Sequence, residues 1–178
     1  MSNITALPVE LVSNIATLLD LKDLRSLRQT CHVLERSTFT EFAVRGYSHR
    51  DAMLSSSSTG ILIKFLSTSH QLASHIKTAL ISGATPSDPF SAPKVETAAA
   101  TALVDLLSLM PSLKSLTLIY LDSQRSQIAR SFLNLDQARH ASRLPSVQTL
   151  ELRNSSLSSQ EYIQLISSFA TSLTELRI

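Results

Sequence analysis

The chain has 178 residues, enough for one ordinary domain or for a small module with a second beside it. It is 43% hydrophobic and only 17% charged, with serine and threonine filling the polar positions, and its net charge is +2 at pH 7. That balance makes no case for a nucleic-acid partner or an anionic membrane surface. A single cysteine, Cys31, excludes an internal disulfide framework and a cysteine-based zinc site, and fits a reducing intracellular compartment. The opening residues, MSNITALP, lack a charged-then-apolar signal region. The most apolar stretch, residues 98–110, is 13 long and contains Asp105. A bilayer span takes roughly 20 apolar residues, so this stretch reads as a core helix. Asn3-Ile4-Thr5 and Asn154-Ser155-Ser156 match the glycosylation pattern, which without a signal region reads as chance.

Pro8 suits the first turn of a helix, where a missing N–H costs nothing, so the first helix is predicted from about Pro8 to Leu19. Leu11, Ile15 and Leu19 recur along it at helical spacing. Asp20-Leu21-Lys22 reads as a short turn. A second helix is predicted from about Lys22 to Leu34, with Leu24, Leu27, Cys31 and Leu34 on one face and a solvated basic flank of Lys22, Arg25 and Arg28. A third, about Ser37 to Val44, carries Phe39, Phe42 and Ala43, with Gly46 as its stop. Ser55 to Gly60 (SSSSTG) is a low-complexity break, either a linker or a loop that caps the helix following it. Helical spacing resumes through Ile61, Leu62, Phe65 and Leu66, then Leu72 and Ile76. Residues 83–93, with three prolines and one glycine, form the clearest loop.

Beyond this loop three helices are predicted, about Lys94 to Met110, Ser123 to Ala141 and Ser159 to Ala170. Each is followed by the same apolar phrase. It reads Leu113, Leu116, Leu118; then Val147, Leu150, Leu152; then Leu173, Leu176, Ile178. A fainter copy stands at Ile76, Ala79, Ile81, and the successive offsets are 37, 34 and 26 residues. The phrase L-x-x-L-x-L with a helix-length return is the signature of leucine-rich repeats, whose usual period is about 20–29 residues, so these are long and irregular copies. Alternate strand residues face opposite sides. Leu116 and Leu118 are therefore expected inward and Ser115, Thr117 and Ile119 outward, with units stacking into a solenoid.

Residues 7–34 resemble an F-box. The matching residues are Leu7-Pro8, Glu10-Leu11, Ile15, Leu19, Asp23-Leu24, Leu27 and Thr30-Cys31-His32, in order and without a gap. The remainder, with TFTEFAVRGYSHRDAML and SHQLASHIKTALIS, resembles fungal F-box proteins that continue into degenerate leucine-rich repeats. Two departures stand out. Many F-boxes carry a tryptophan just after the cysteine-like position, where this chain has Val33-Leu34. The chain also stops at Ile178, inside a repeat phrase, as a truncated family member would. The expected fold is α+β. A three-helix F-box-like module covers residues 4–48. Connecting helices, a first weak repeat and the proline-rich loop cover 49–93. A short leucine-rich-repeat-like α/β solenoid with parallel strands covers 94–178.

The resemblance implies a substrate adaptor of an SCF (cullin–RING) ubiquitin ligase, working in the cytoplasm or nucleus. Its adaptor-binding residues would be Leu7, Pro8, Leu11, Ile15, Leu19, Leu24 and Leu27, some of them shared with the module's own core. These would contact a Skp-family adaptor and, through it, cullin. The substrate, an unknown protein, would meet the outward strand residues Ser115, Thr117, Thr149, Glu151, Arg153, Glu175 and Arg177. Cross-strand pairing is the plainer account of the charges among them. Alternatives are a leucine-rich-repeat scaffold uncoupled from any ligase, or a truncated form without substrate binding.

No motif suggests catalysis or a cofactor. Cys31 beside His32 could mark a thiolate nucleophile, but catalytic pairs meet in space rather than in adjacent sequence, and Cys31 falls on the apolar face as a small hydrophobe. His70 and His75 miss the i, i+4 spacing of paired metal ligands. Arg125, Arg130, Arg139, His140 and Arg143 read as a solvated helix face, interrupted by Asp122 and Asp136. Three glycines in the whole chain exclude phosphate loops.

Overall fold

A computed structural model describes residues 4–53, 56–82, 103–119, 144–155 and 157–178. The chain divides into two compact units, Met1–Ser48 and His49–Ile178.

The first unit is helical. A 3-10 turn at Ile4–Ala6 precedes α1 (Val9–Leu18), α2 (Leu21–Arg28), α3 (His32–Ser37) and α4 (Phe39–Tyr47). Four α-helices stand where three were expected, because the second predicted helix breaks. At Thr30 both the amide (3.2 Å) and the hydroxyl (2.7 Å) donate to the Leu27 carbonyl, which closes a tight turn. Side-chain bonding of this kind competes with helix propagation. Cys31 is then extended (φ −163°, ψ 160°) and α3 starts anew. Leu24 and Leu34 are buried nonetheless, on two helices rather than one, while Leu27 and Cys31 are half-buried. Asp20 caps α2 by accepting from the Asp23 amide at 2.7 Å, so Leu21 and Lys22, expected in a short turn, already belong to the helix. Gly46 lies within α4 and does not stop it. Val12, Ala16, Leu24, Leu34 and Ala43 make the small core.

Two arginines tie this unit together. Arg45 sends Nη1 to the Leu19 carbonyl at 2.5 Å and the Ala16 carbonyl at 3.4 Å, placing a cation at the C-terminus of α1, where the helix dipole favours it. Arg28, expected on a solvated flank with Lys22 and Arg25, is instead packed inside. Its side chain is 11% exposed, and its guanidinium lies 4.4 Å from the Phe42 ring centroid and 5.5 Å from that of Phe39. Nη1 donates to the Glu35 carbonyl at 2.6 Å. Burial pulls the Arg28 pKa down, and the Glu35 carboxylate opposes that. Lys22 and Arg25 are exposed as expected. Arg28→Ala should lower the stability of the chain by about 2 kcal/mol, through lost stacking and one lost charge-assisted bond. Arg28→Lys should recover less than half of it, because an ammonium cannot reproduce the planar fork. Urea unfolding followed by circular dichroism measures both.

The second unit mixes helix and strand around a five-stranded parallel sheet. Its strands are β1 (His49–Met53), β2 (Thr78–Ser82), β3 (Ser115–Ile119), β4 (Thr149–Arg153) and β5 (Glu175–Arg177), and their order across the sheet is their order in the chain. Every adjacent pair is parallel. The register sets Ala79, Leu116, Leu150 and Leu176 side by side, and Ile81, Leu118 and Leu152 likewise, at the spacing of the apolar phrases. The last three strands are approached in the same way. The Lys77 carbonyl accepts from the Lys114 and Ser115 amides, that of Lys114 from Gln148 and Thr149, and that of Gln148 from Thr174 and Glu175, all at 2.7–3.0 Å. Just ahead, Ile76, Leu113 and Val147 are buried and Leu173 is half-buried, so the first apolar position of the phrase anchors the turn into the strand.

The sequence reading missed β1. His49-Arg50-Asp51-Ala52-Met53 has no apolar alternation, and Arg50 occupies the inner row beside Ala79. The expected break at Ser55–Gly60 is also overturned in part, since helix α5 (Ser56–Thr68) already includes Ser56 to Gly60. The Thr59 hydroxyl, buried, donates to the Met53 carbonyl at 2.7 Å and ties the start of the helix to β1. A short α6 (His70–Ala73) follows. Residues 103–108 are helical and supply Leu106 and Leu107 to the core. The last helix, α7 (Ser159–Phe169), starts with a complete capping box. Ser158 Oγ accepts from the Glu161 amide (3.4 Å), and Glu161 Oε2 accepts from the Ser158 amide (2.8 Å). The S-x-x-E pattern that announces it is legible at 158–161. The predicted loop at 83–93, the boundary at 93/94, the start of the helix from Lys94 and the basic helix through Arg125, Arg130, Arg139, His140 and Arg143 lie outside the described residues.

Candidate functional site

Each unit carries one surface that could receive a partner. In the first unit it lies on α1. At 3.6 residues per turn, Val12 and Ala16 share one side of this helix, and Leu11, Ile15 and Leu18 share another. The first side is buried, at 2% and 0% exposure. The second is open. Leu11 is 48% and Leu18 85% exposed, Ile15 is half-buried, and Leu7, one turn before Leu11, is 39% exposed. An amphipathic helix needs one apolar stripe to join its own core. A second stripe has no use inside this unit.

The expected adaptor-binding residues divide accordingly. Leu7, Pro8 and Leu11 are exposed, and Ile15, Leu19 and Leu27 are half-buried. Leu24 is fully buried and belongs to the share of that set expected to serve the module's own core. Leu18 was missed. Two leucines adjoin at 18 and 19, and the helix ends at Leu18, with Leu19 extended behind it (φ −79°, ψ 150°). Nothing in the apolar spacing distinguishes the two. Cys31 is half-buried at the start of α3 rather than sunk in a helix face. The His32 ring, 96% exposed, faces Glu35 (3.1 Å).

In the second unit the surface is the outward face of the sheet. Three rungs cross it. The first holds His49, Thr78, Ser115, Thr149 and Glu175; the second Asp51, Leu80, Thr117, Glu151 and Arg177; the third Met53, Ser82, Ile119 and Arg153. All seven expected substrate-facing residues stand on these rungs. Ser115, Thr117, Thr149 and Glu151 are half-buried, and Arg153, Glu175 and Arg177 are exposed. The charges meet across strands as expected at Glu151 and Arg177, which stand opposite each other and attract, but the hydrogen bonds between charged groups run within strands. Arg153 Nε donates to Glu151 Oε1 (2.8 Å) and Arg177 Nε to Glu175 Oε1 (2.9 Å), each within its own strand. Side chains two apart share a face, and hydroxyls on the neighbouring strands reach the same carboxylates. Thr117 Oγ1 donates to Glu151 Oε2 (3.2 Å) and Thr149 Oγ1 to Glu175 Oε2 (3.4 Å). At the β1 end, His49 Nδ1 meets Thr78 Oγ1 and its Nε2 meets Asp51 Oδ1, both at 2.8 Å. His49 and Asp51 were not anticipated, because β1 was not.

The Arg153 hydrogen bond holds the Glu151 pKa below the usual carboxylate range, with Thr117 and the Arg153 and Arg177 charges helping and partial burial opposing. A depressed folded-state pKa stabilises the fold above the ordinary glutamate pKa, and that contribution is lost as pH falls through the lowered value. Carbon-detected NMR titration should therefore place Glu151 below a free glutamate, and Arg153→Gln should move it back upward.

Among the described residues no group of three or more His, Cys, Asp or Glu side chains is placed to hold a metal ion, and no helix is long and apolar enough to cross a membrane. No family model, curated protein or solved structure matches the chain.

Proposed function

We propose that the chain is an F-box-type substrate adaptor of an SCF (cullin–RING) ubiquitin ligase. Its helical unit docks on a Skp-family adaptor, and the outward face of its sheet receives a protein substrate. On this reading the sheet is a short, irregular leucine-rich-repeat array, and the ligase chemistry belongs to other subunits. The reading draws on the F-box-like run from Leu7 to His32. The observation that carries it is the second apolar stripe of α1, Leu11-Ile15-Leu18, left open with Leu7 beside it. Fully burying one such side chain is worth about 1.5–3 kcal/mol, so an uncovered row of this kind is a binding resource and a solubility liability together. The substrate face supports the reading less directly, since its charges are already satisfied among themselves. Its hydroxyl-rich middle, Thr78, Ser115, Thr117 and Thr149, suits hydrogen bonding to an extended segment of another protein.

The test is co-expression of the full chain with a Skp-family adaptor, followed by affinity capture and gel filtration. The two proteins should elute together. If the adaptor is recovered no better than on empty resin, the ligase reading fails, and an interaction scaffold without ligase coupling takes its place.

A further inference from the structure

Three of the outward-facing sheet residues are apolar, and they adjoin. Leu80 on β2 is diagonal to Met53 on β1 and to Ile119 on β3: its own register partners are Asp51 and Thr117, and the other two stand two positions further along. Diagonal neighbours are about 7–8 Å apart, within reach of long side chains. Met53 is 45% exposed, and Leu80 and Ile119 are half-buried. The core takes the opposite side of the same strands, through Ala79, Ile81, Leu116 and Leu118, so this patch does not serve it.

Opposite charges border the patch. Asp51 is the register partner of Leu80 on β1, and Arg153 that of Ile119 on β4. Each holds one internal partner and keeps further bonding capacity. Asp51 Oδ1 meets His49 Nε2 at 2.8 Å, and among the described residues Oδ2 accepts no hydrogen bond. Arg153 gives Nε to Glu151, and among the described residues its two terminal nitrogens donate to nothing. The two side chains are 68% and 56% exposed, whereas that of Glu151 is 19% exposed and turned to Thr117 and Arg153. Neighbouring strands are about 4.8 Å apart, so β1 and β4 are separated by about 14 Å, and two residues along the strand add about 7 Å. The diagonal from Asp51 to Arg153 is thus about 16 Å and passes over Leu80 and Ile119. An extended chain advances about 3.3 Å per residue and turns alternate side chains to one side. Its positions i, i+2 and i+4 cover about 13 Å, and long charged side chains at the two ends make up the difference.

We propose that the outward face takes an extended segment of another protein that carries a basic, an apolar and an acidic residue at alternate positions, i, i+2 and i+4. The base meets Asp51, the apolar side chain lies over Leu80 and Ile119, and the acid meets Arg153. This names the substrate class of the face; it rests on the reading of that face as a substrate surface, but not on the docking of α1. A segment with like charges at its two ends sets one of them against its own sign and is rejected.

Fluorescence anisotropy at low salt, with the full chain and a labelled synthetic peptide Gly-Ser-Lys-Ser-Leu-Ser-Asp-Ser-Gly, tests it, with circular dichroism to confirm that each variant keeps its secondary structure. The wild-type chain should bind this peptide saturably, and about fivefold or more tightly than the peptide whose Asp is replaced by Lys. Arg153→Glu should invert that preference. Asp51→Lys should come to prefer a peptide with Asp at both charged positions. Leu80→Ser should weaken binding of every peptide, and Ile163→Ser, at a 64% exposed position of α7, should change nothing. A wild-type chain indifferent to the peptide charges, or variants whose preferences do not invert, overturns the proposal. Selection of random peptides displayed on phage tells that failure from a failure of the substrate face. Selected peptides that lack the charge spacing yet lose binding on Leu80→Ser overturn the spacing and leave the face a receptor of another class. If every selected peptide ignores Leu80→Ser, the substrate face falls as well.

Discussion

A chain carrying both Leu11→Asp and Leu18→Asp should retain its helical circular dichroism and its unfolding midpoint, yet fail to capture a Skp-family adaptor. Both side chains are already in water, at 48% and 85% exposure, so introducing carboxylates there removes nothing from the core. In a docked complex the same carboxylates would lose their hydration without a partner. Burying an unpaired polar group costs at least about 1–3 kcal/mol, more when it is charged, and each 1.4 kcal/mol is tenfold in affinity. Two such penalties together with the lost apolar burial put the expected rise in Kd above about 1,000-fold. The contrast with Leu24 separates docking from folding. Leu24→Ala should cost about 2–5 kcal/mol of stability, because its side chain is wholly inside. If Leu24→Ala and the double aspartate variant lose the adaptor and the fold in equal measure, α1 is no docking face and the adaptor proposal falls with it.

Leu150→Ala should be among the most damaging single changes in the second unit, at about 3–5 kcal/mol. Leu150 is 0% exposed and sits in the register between Leu116, also 0% exposed, and Leu176. Its truncation would open a cavity in a row whose neighbours are held by strand hydrogen bonds on both sides and cannot close inward. The same change at Leu176, which among the described residues has one flanking strand and is 39% exposed, should cost about 1 kcal/mol. Urea denaturation of the two variants gives the comparison. Equal losses would mean that the sheet edge is as tightly packed as its middle.

How much of this was legible before the coordinates depends on the residue. Positions such as Ile81, Leu118 and Leu152 announce themselves, because a strand with one buried face must alternate and a repeated phrase must align with itself. β1 carries no such sign. It joins the sheet through backbone pairing with β2, and backbone pairing leaves little mark on side-chain choice. The break between α2 and α3 was hidden for a different reason. Leu24, Leu27, Cys31 and Leu34 fit one helical face, and only the choice of acceptor by Thr30 ends the helix. Arg28 was misread because a basic residue among others looks solvated, while two rings eleven and fourteen positions later decide otherwise. On the candidate surfaces the outward rungs of β3 to β5 follow from parity alone. The choice of Leu18 over Leu19 turns on where one helix stops, which spacing does not encode.

The strands keep one register although the lengths of chain between them differ. What aligns them is the short approach segment and its paired amides, not the span that returns. The lengths of the intervening spans can therefore differ without scrambling the order of side chains along the rungs.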